Sequence, residues 1–398
     1  MGIGLAKSKS SVWVKEEVTE GTYVAPTSAN DALEVIEDGL EFNYTKETIE
    51  RDNLTSTIEK VATRTGLASV AGSIGIENRA HPTEGEAPYA DLLFKSLLGG
   101  KRQLTAPVTS KAAGHTSTTI EIEDADIGDF VVNGVYLFKI STGYEVRPVT
   151  EIDDTIGAAK ITVAVAFEAG APTGAIVIAK MTQYYFNEGA PTLSVTHYLG
   201  GEIEERNSGL RCISASLENW STAQLANWNF SMEGLTQTRS VASPAFTPAF
   251  DSSSLPPVLV GACVYFGEPG SMLELQYNEL SLTLENTKAD ILSACSPSGK
   301  IGSRFTEFKT TGSFVPYMED DDVVRFGNFD MNDTVSIFGF AKNPGMVSGQ
   351  DLQWVAFWIP NAKITEIPAA DQDGILTDSI SFQSFREAGN DTVFLSFI

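Results

Sequence analysis

The sequence predicts an all-β protein: two tandem β-sandwiches, each with a flanking short helix, and a small β-barrel inserted into the first. Two observations carry this. Runs rich in Val, Ile, Thr and Phe are bounded by Gly, Asn, Asp and Ser, the pattern of strands and turns. Landmarks of a first strand-rich block also recur in a second at matching spacing.

The elements follow in order. Residues 1–30 are polar and weakly patterned, which predicts an N-terminal arm. Leu33, Val35, Leu40, Phe42 and Tyr44 alternate, so residues 32–44 predict a strand pair or one strand kinked at Gly39. Residues 45–65 are charged and threonine-rich and predict a long loop; loops beyond ~12–15 residues are usually functional or disordered. A second strand is expected over 67–77. A helix is expected over 84–99, with Pro88 in its first turn and Gly99-Gly100 as its stop. Residues 101–187 predict the inserted barrel, with about five strands near 119–123, 131–140, 145–152, 161–166 and 175–185. The first sandwich thus takes residues 31–100 and 188–237, a Ser/Pro-rich linker 238–262, and the second sandwich 263–398.

The repeat rests on named positions. Leu40-x-Phe42-x-Tyr44 opens the first copy and Leu280-x-Leu282-x-Leu284 the second, and Gly72 and Gly312 each follow 32 residues later. Leu193-x-Val195 corresponds to Val335-x-Ile337, displaced by about the length of the insert, and Ile213 and Phe230 are set against Ile364 and Phe382. A second short helix is expected over 321–326.

Composition narrows function. There are 52 acidic and 27 basic residues, a formal charge of −25, which opposes sequence-reading contact with a polyanion. Cys212, Cys263 and Cys295 are widely spaced, with no CxxC pattern and no implied disulfide framework, as expected of a reducing compartment. The first 21 residues have no apolar core of a signal peptide, and no apolar run reaches the ~18 residues of a membrane span.

Catalytic chemistry finds little to use. The three histidines, His81, His115 and His197, are scattered, and no HxH, HExxH, GxSxG or phosphate-binding glycine pattern occurs. The carboxylates Glu202, Glu204 and Glu205 form one run, and Glu319, Asp320, Asp321 and Asp322 another, read as the cap of a helix. Asp371-x-Asp373-Gly374 reads as a turn, since Phe382 stands where a calcium loop needs glutamate. No catalytic, cofactor or metal residue is expected. Trp220, Trp228, Trp354 and Trp358 read as core and subunit contacts, with an exposed carbohydrate-stacking platform of an adhesin as the alternative.

Several segments resemble the tail tube proteins of long, non-contractile-tailed bacteriophages: Val14-Lys15-Glu16-Glu17 leading to Glu20-Gly21-Thr22, Ile49 to Leu54 in the long loop, Gly72-Ser73-Ile74 closing a strand, and Asp126 to Val131 in the insert. The resemblance implies a structural virion protein, not an enzyme, without cofactor. Its implied partner is itself, in stacked rings, a duplicated chain forming a trimer with pseudo-six-fold symmetry. It further implies contact with a tape measure protein and other tail proteins, an acidic lumen through which DNA passes unbound, no membrane, and assembly in the host cytoplasm before residence in the virion tail. In that setting Ile49, Leu54 and Ile58 are expected as apolar anchors between rings, with Glu50, Arg51 and Asp52 as charged rim contacts.

Overall fold

The computed structural model describes residues 5–51, 62–141, 143–250, 256–257, 259, 262–296, 299–319, 322–342, 353–372 and 374–398. The first sandwich opens with β1 (Ser11–Glu16), β2 (Ala32–Leu33), β3 (Leu40–Ile49) and β4 (Arg64–Glu77), followed by α1 (Asp91–Leu98) and β5 (Gly99–Leu104). The insert holds β6 (Val108–Thr109), β7 (Thr119–Glu121), β8 (Val135–Ile140), β9 (Gly143–Asp153), β10 (Lys160–Val163) and β11 (Val177–Ile178). The chain returns through β12 (Met181–Phe186), β13 (Leu193–Leu199), β14 (Ile203–Ser221), β15 (Asn227–Gly234) and β16 (Thr236–Val241). The second sandwich comprises β17 (Cys263–Gly267), β18 (Leu273–Glu274), β19 (Tyr277–Leu292), β20 (Lys300–Pro316), α2 (Asp322–Met331), β21 (Val335–Lys342) and β22 (Trp354–Glu366). It ends with β23 (Ala369–Gln372), β24 (Ile375–Asp378), β25 (Ile380–Ser384) and β26 (Phe394–Phe397).

Both halves use one strand plan. In the first, an outer layer runs β2-β1-β13-β14-β16 and an inner layer β14-β15-β4-β3, with the long β14 crossing between them. In the second, the outer layer runs β18-β17-β21-β22-β26 and the inner β22-β25-β20-β19. Register agrees pair by pair. Leu40↔Ile74 and Thr48↔Thr65 become Leu280↔Phe314 and Lys288↔Phe305, with a bulge at the same place. The bulge after Leu193 in β13 recurs after Val335 in β21. The later landmarks pair as Cys212↔Met232 and Ile364↔Phe382, so Cys212 and Met232, not Ile213 and Phe230, are the true counterparts. Sequence spacing misplaced them because Ile213 sits in a bulge that shifts the register by one. The paired glycines have one cause. A Cβ at Gly72 or Gly312 would enter the ring of Phe42 or Phe382, which lies flat over the strand.

Three expectations change most. Residues 1–30 are not a free arm. Val12, Trp13 and Val14 are buried, and β1 pairs with β13 along its whole length. Three consecutive apolar residues suffice for a strand buried on both faces, and polar flanks hid them. Residues 45–65 are not wholly a loop, since β3 and β4 stay paired out to Ile49↔Arg64. Their threonines and isoleucine favour strand, and their charges face solvent. The insert, finally, is narrower than residues 101–187. Its sheet order is β6-β11-β8-β9-β10-β7, and Lys111 N donates to Glu121 O at 3.0 Å, linking the two ends. β5 and β12, expected within it, belong instead to the second sandwich's outer layer, where β12 pairs with β26.

The outer layer of the second sandwich therefore has two buried faces. Val264, Phe266, Ile337, Phe357, Ile359 and Leu395 point into the sandwich core. Tyr265, Phe338, Phe340, Trp354, Trp358 and Phe394 point the other way, into one core with the barrel's Val135, Leu137, Val146 and Ile178. Trp358 Nε1 donates to Asn133 Oδ1 at 3.0 Å across this boundary. Arg147, fully buried, ion-pairs with Glu145 and lies 5.9 Å from the Tyr265 ring centroid.

α1 covers the first sandwich with Leu93, Phe94, Leu97 and Leu98 buried. It starts at Asp91, later than expected, because Pro88 and the turn after it precede the first helical bonds. α2 extends to Met331, beyond the expected 326. Residues 238–262 begin as strand, since β16 pairs with β14 through Val241.

Candidate assembly surfaces

The inner layers of the two halves are joined. β14 pairs antiparallel with β19, from Ser214↔Glu285 to Ser221↔Glu279. The result is one eight-stranded sheet in the order β3-β4-β15-β14-β19-β20-β25-β22, with β23 continuing the line of β22. One face carries Phe42, Ile74, Phe230, Leu217, Leu282, Phe314, Phe382 and Ile364, all buried. The opposite face, by strict alternation, carries mostly small polar residues: Thr45, Ser69, Ser73, Asn229, Ser231, Ser214, Ser216, Ser281, Thr283, Thr311, Ser313 and Ser381. Hydroxyls pair across strands, Thr45 with Ser69 at 3.0 Å and Ser281 with Ser313 at 2.9 Å. The charges there include Glu41, Glu77, Glu218, Glu233, Glu279, Glu285, Glu307 and Glu366, against Lys309 and Lys363. Among the described strand residues this face is polar and acidic, and the ring of Phe385, just past the end of β25, lies 5.8 Å from the Lys363 ammonium.

The sheet has two free edges among the described residues, and they correspond. β3 is the counterpart of β19, and β22 with β23 is the counterpart of β14. The joint already made inside the chain, β14 to β19, thus has both of its halves repeated at the outer edges. Pro368 does not spoil its edge. Its carbonyl accepts from Ser379 N at 2.9 Å, so its position faces β25, where its missing N–H matters least to an incoming strand. Ile367 and Ala369 face outward by alternation.

Beyond the sheet, the β19–β20 hairpin lies over the first sandwich. Glu20 receives Ser303 N at 2.7 Å, Arg211 at 3.1 Å and Arg304 at 3.1 Å. Burial pushes the Glu20 carboxyl upward, but Arg211 and Ser303 outweigh it and leave the group below its usual 4.5. Glu17 accepts from Gly21 N, Gly209 N and Ser194 Oγ, each at 2.8 Å, which fixes residues 17–21 in place.

Of the residues expected as ring contacts, the structure describes Ile49, Glu50 and Arg51. Ile49 ends β3 and is half exposed, and Glu50 and Arg51 follow, exposed. Asp52, Leu54 and Ile58 lie outside the described residues. The free edges at Ala369 and β3 were missed, because an edge is defined by which strands pair and not by composition; only Pro368, a residue suited to edges, signalled one. Trp220, Trp228, Trp354 and Trp358 are all buried, so they cannot form a stacking platform. His197 is half-buried, with burial holding it below 6.5 against the pull of Glu205, whose carboxylate is bonded to Arg239 at 2.7 Å. Among the described residues no cluster of three or more His, Cys, Asp or Glu could hold a metal, and no helix is long and apolar enough to cross a membrane.

A doubled sandwich whose internal joint is repeated at both outer edges is the architecture of a structural protein made to be repeated. A family model described as phage tail tube protein matches residues 7–384. The chain belongs to that family and is a structural protein of the phage tail. A search of curated proteins returned no match.

Proposed function

We propose that the chain closes into a ring by pairing β3 of one protomer with β22 and β23 of the next, and that the rings stack into the tube of a long non-contractile tail. The observation that carries this is the β14–β19 joint, which supplies a template for the outer edges in the same register. Two sandwiches per chain make three protomers the equivalent of six units, the trimer with pseudo-six-fold symmetry. Three eight-stranded sheets give about 24 strands, ~115 Å around at ~4.8 Å per strand, hence ~37 Å across the backbone before tilt widens it. Closure also removes the two exposed edges, which would otherwise invite open-ended aggregation.

The open acidic face then lines the bore. Its glutamates repel a passing DNA and its hydroxyls offer no stacking surface, so DNA slides without binding, and a tape measure protein fills the bore before it. The barrel, packed on the side of the outer layer away from the inner sheet, faces outward. The residues expected as contacts between rings, Ile49, Glu50, Arg51, Asp52, Leu54 and Ile58, then meet the neighbouring ring. Electron microscopy of the purified chain at rising concentration, with mass measured in solution, tests this. Rings of three chains that stack into tubes are expected; rings of six chains, or an open sheet ribbon, would refute the edge pairing.

A further inference from the structure

The two helices differ in a way that the ring reading does not itself explain. α1 is covered. β1, β5, β12 and β14 pack around it, and the β19–β20 hairpin meets its C-terminal end, where Asn286 Nδ2 donates to the Leu97 carbonyl at 2.8 Å; next to the helix Lys288 pairs with Glu233 of β15 at 2.7 Å and Phe308 stacks on Phe186 of β12 at 4.4 Å between centroids. α2 is not covered. Val323 is 78% exposed, Val324 56%, Phe326 56% and Met331 74%, and these project from one broad side of the helix. Exposed apolar surface of this kind marks a contact.

We infer that this side of α2, with its acidic C-terminal end, is the seat for the β3–β4 hairpin of a second copy of the chain. The proposal rests on the ring reading and names the contact that would lock each joint. Its ground is the equivalence of the two hairpins. β3–β4 has the register and bulge of β19–β20, so Tyr44 stands where Leu284 stands and Lys46 where Asn286 stands. Leu284 is fully buried under the helix side of the sheet, whereas Tyr44 is exposed, and Lys46 is exposed with its ammonium 5.5 Å from the Tyr44 ring. One copy therefore carries an unfilled hairpin and also an unfilled helix.

The helix ends correspond as well. α1 stops at Gly99 with φ 79° and α2 at Asn332 with φ 57°, both left-handed C-terminal caps. Counting back from them, the carbonyl of Asp330 takes the place of the Leu97 carbonyl that Asn286 meets. Around it stand Asp330 and Asp333, both exposed, and α2 has no basic residue in its last turn. Two acids at the negative end of a helix dipole are unfavourable, and a cation there is favourable. Where the intrachain joint uses a neutral amide, the joint between chains would use Lys46.

The test is a charge swap in the full chain, read by sedimentation and by hydrogen exchange of the α2 amides. Lys46→Glu, and separately Asp330→Lys with Asp333→Lys, should each weaken ring formation about tenfold or more, ~1.4 kcal/mol. The triple variant should restore it to within a few-fold, and α2 amides should slow only when rings form. Rings of wild-type strength in K46E, or no rescue by the triple variant, would overturn the proposal. α2 protection in K46E rings would instead mean another occupant and would overturn it equally. A369P, which disrupts the edge itself, separates the readings: if it abolishes rings while the swaps have no effect, the ring stands and the hairpin seat falls. Absence of rings in the wild type would remove both.

Discussion

The edge pairing can be tested by one substitution. Ala369 begins β23, and by equivalence with Leu217, which faces Leu282, it would face Phe42 of the next chain. In Ala369→Pro the donor is lost and the partner's carbonyl is left unpaired. Within one chain the change costs little. Pro368 already uses its inward position towards Ser379, so residue 369 points its N–H outward, and proline is tolerated on edge strands. Between chains, an unpaired buried acceptor costs ~1–3 kcal/mol, so each joint weakens ~5- to 150-fold. A closed trimer has three joints, so ring stability falls by ~3–9 kcal/mol, roughly two to six powers of ten. Sedimentation velocity over a concentration series reads the loss, and thermal melting of the monomer reads the control. A369P that forms rings at the wild-type concentration, with an unchanged monomer, would refute β22–β23 as the assembly edge.

Other consequences concern the chain itself. Trp358→Ala should cost ~3–5 kcal/mol in urea unfolding, because it opens the core shared with the barrel and strands Asn133; a loss under ~1 kcal/mol would mean that the barrel is independently anchored. Removing residues 105–180 while keeping β5 and β12 should give an aggregating protein, since Tyr265, Phe338, Phe340 and Trp354 are uncovered; a soluble, monodisperse deletion would contradict the shared core. Glu20 has its folded pKa below 4.5, so its contribution is complete above that pH and is lost as pH falls through the folded value. Glu20→Gln should be less stable at neutral pH and less sensitive to acid; parallel pH curves for the two proteins would count against the clasp. Native thiol labelling near neutral pH should modify Cys295, which is exposed, and spare Cys212 and Cys263, whose thiols burial pushes up to about 12; rapid labelling of all three would show that the packing around them is wrong.

What the sequence by itself determined was the kind of material and its doubling. Alternation around Leu40, Phe42, Leu280 and Leu282 made strands, Gly72 and Gly312 marked matching places, and the excess of residues before Leu193 marked the insert. Such signals are local, since a residue's period and its turn neighbours act over a few positions. The tertiary structure alone decided what depends on partners distant in the chain. Val12 to Val14 became a strand because β13 lies beside them, some 180 residues later in the chain. Residues 101–104 and Met181 to Phe186 left the barrel because β26, at the chain's end, offered an edge. The residues expected at the ring contact were apolar anchors and charged rim residues of a long polar loop, and only strand order could show the free edges at β3 and Ala369. An edge is the absence of a neighbour, and no single stretch of sequence states which neighbours a strand will have; that is settled when all the strands compete for partners.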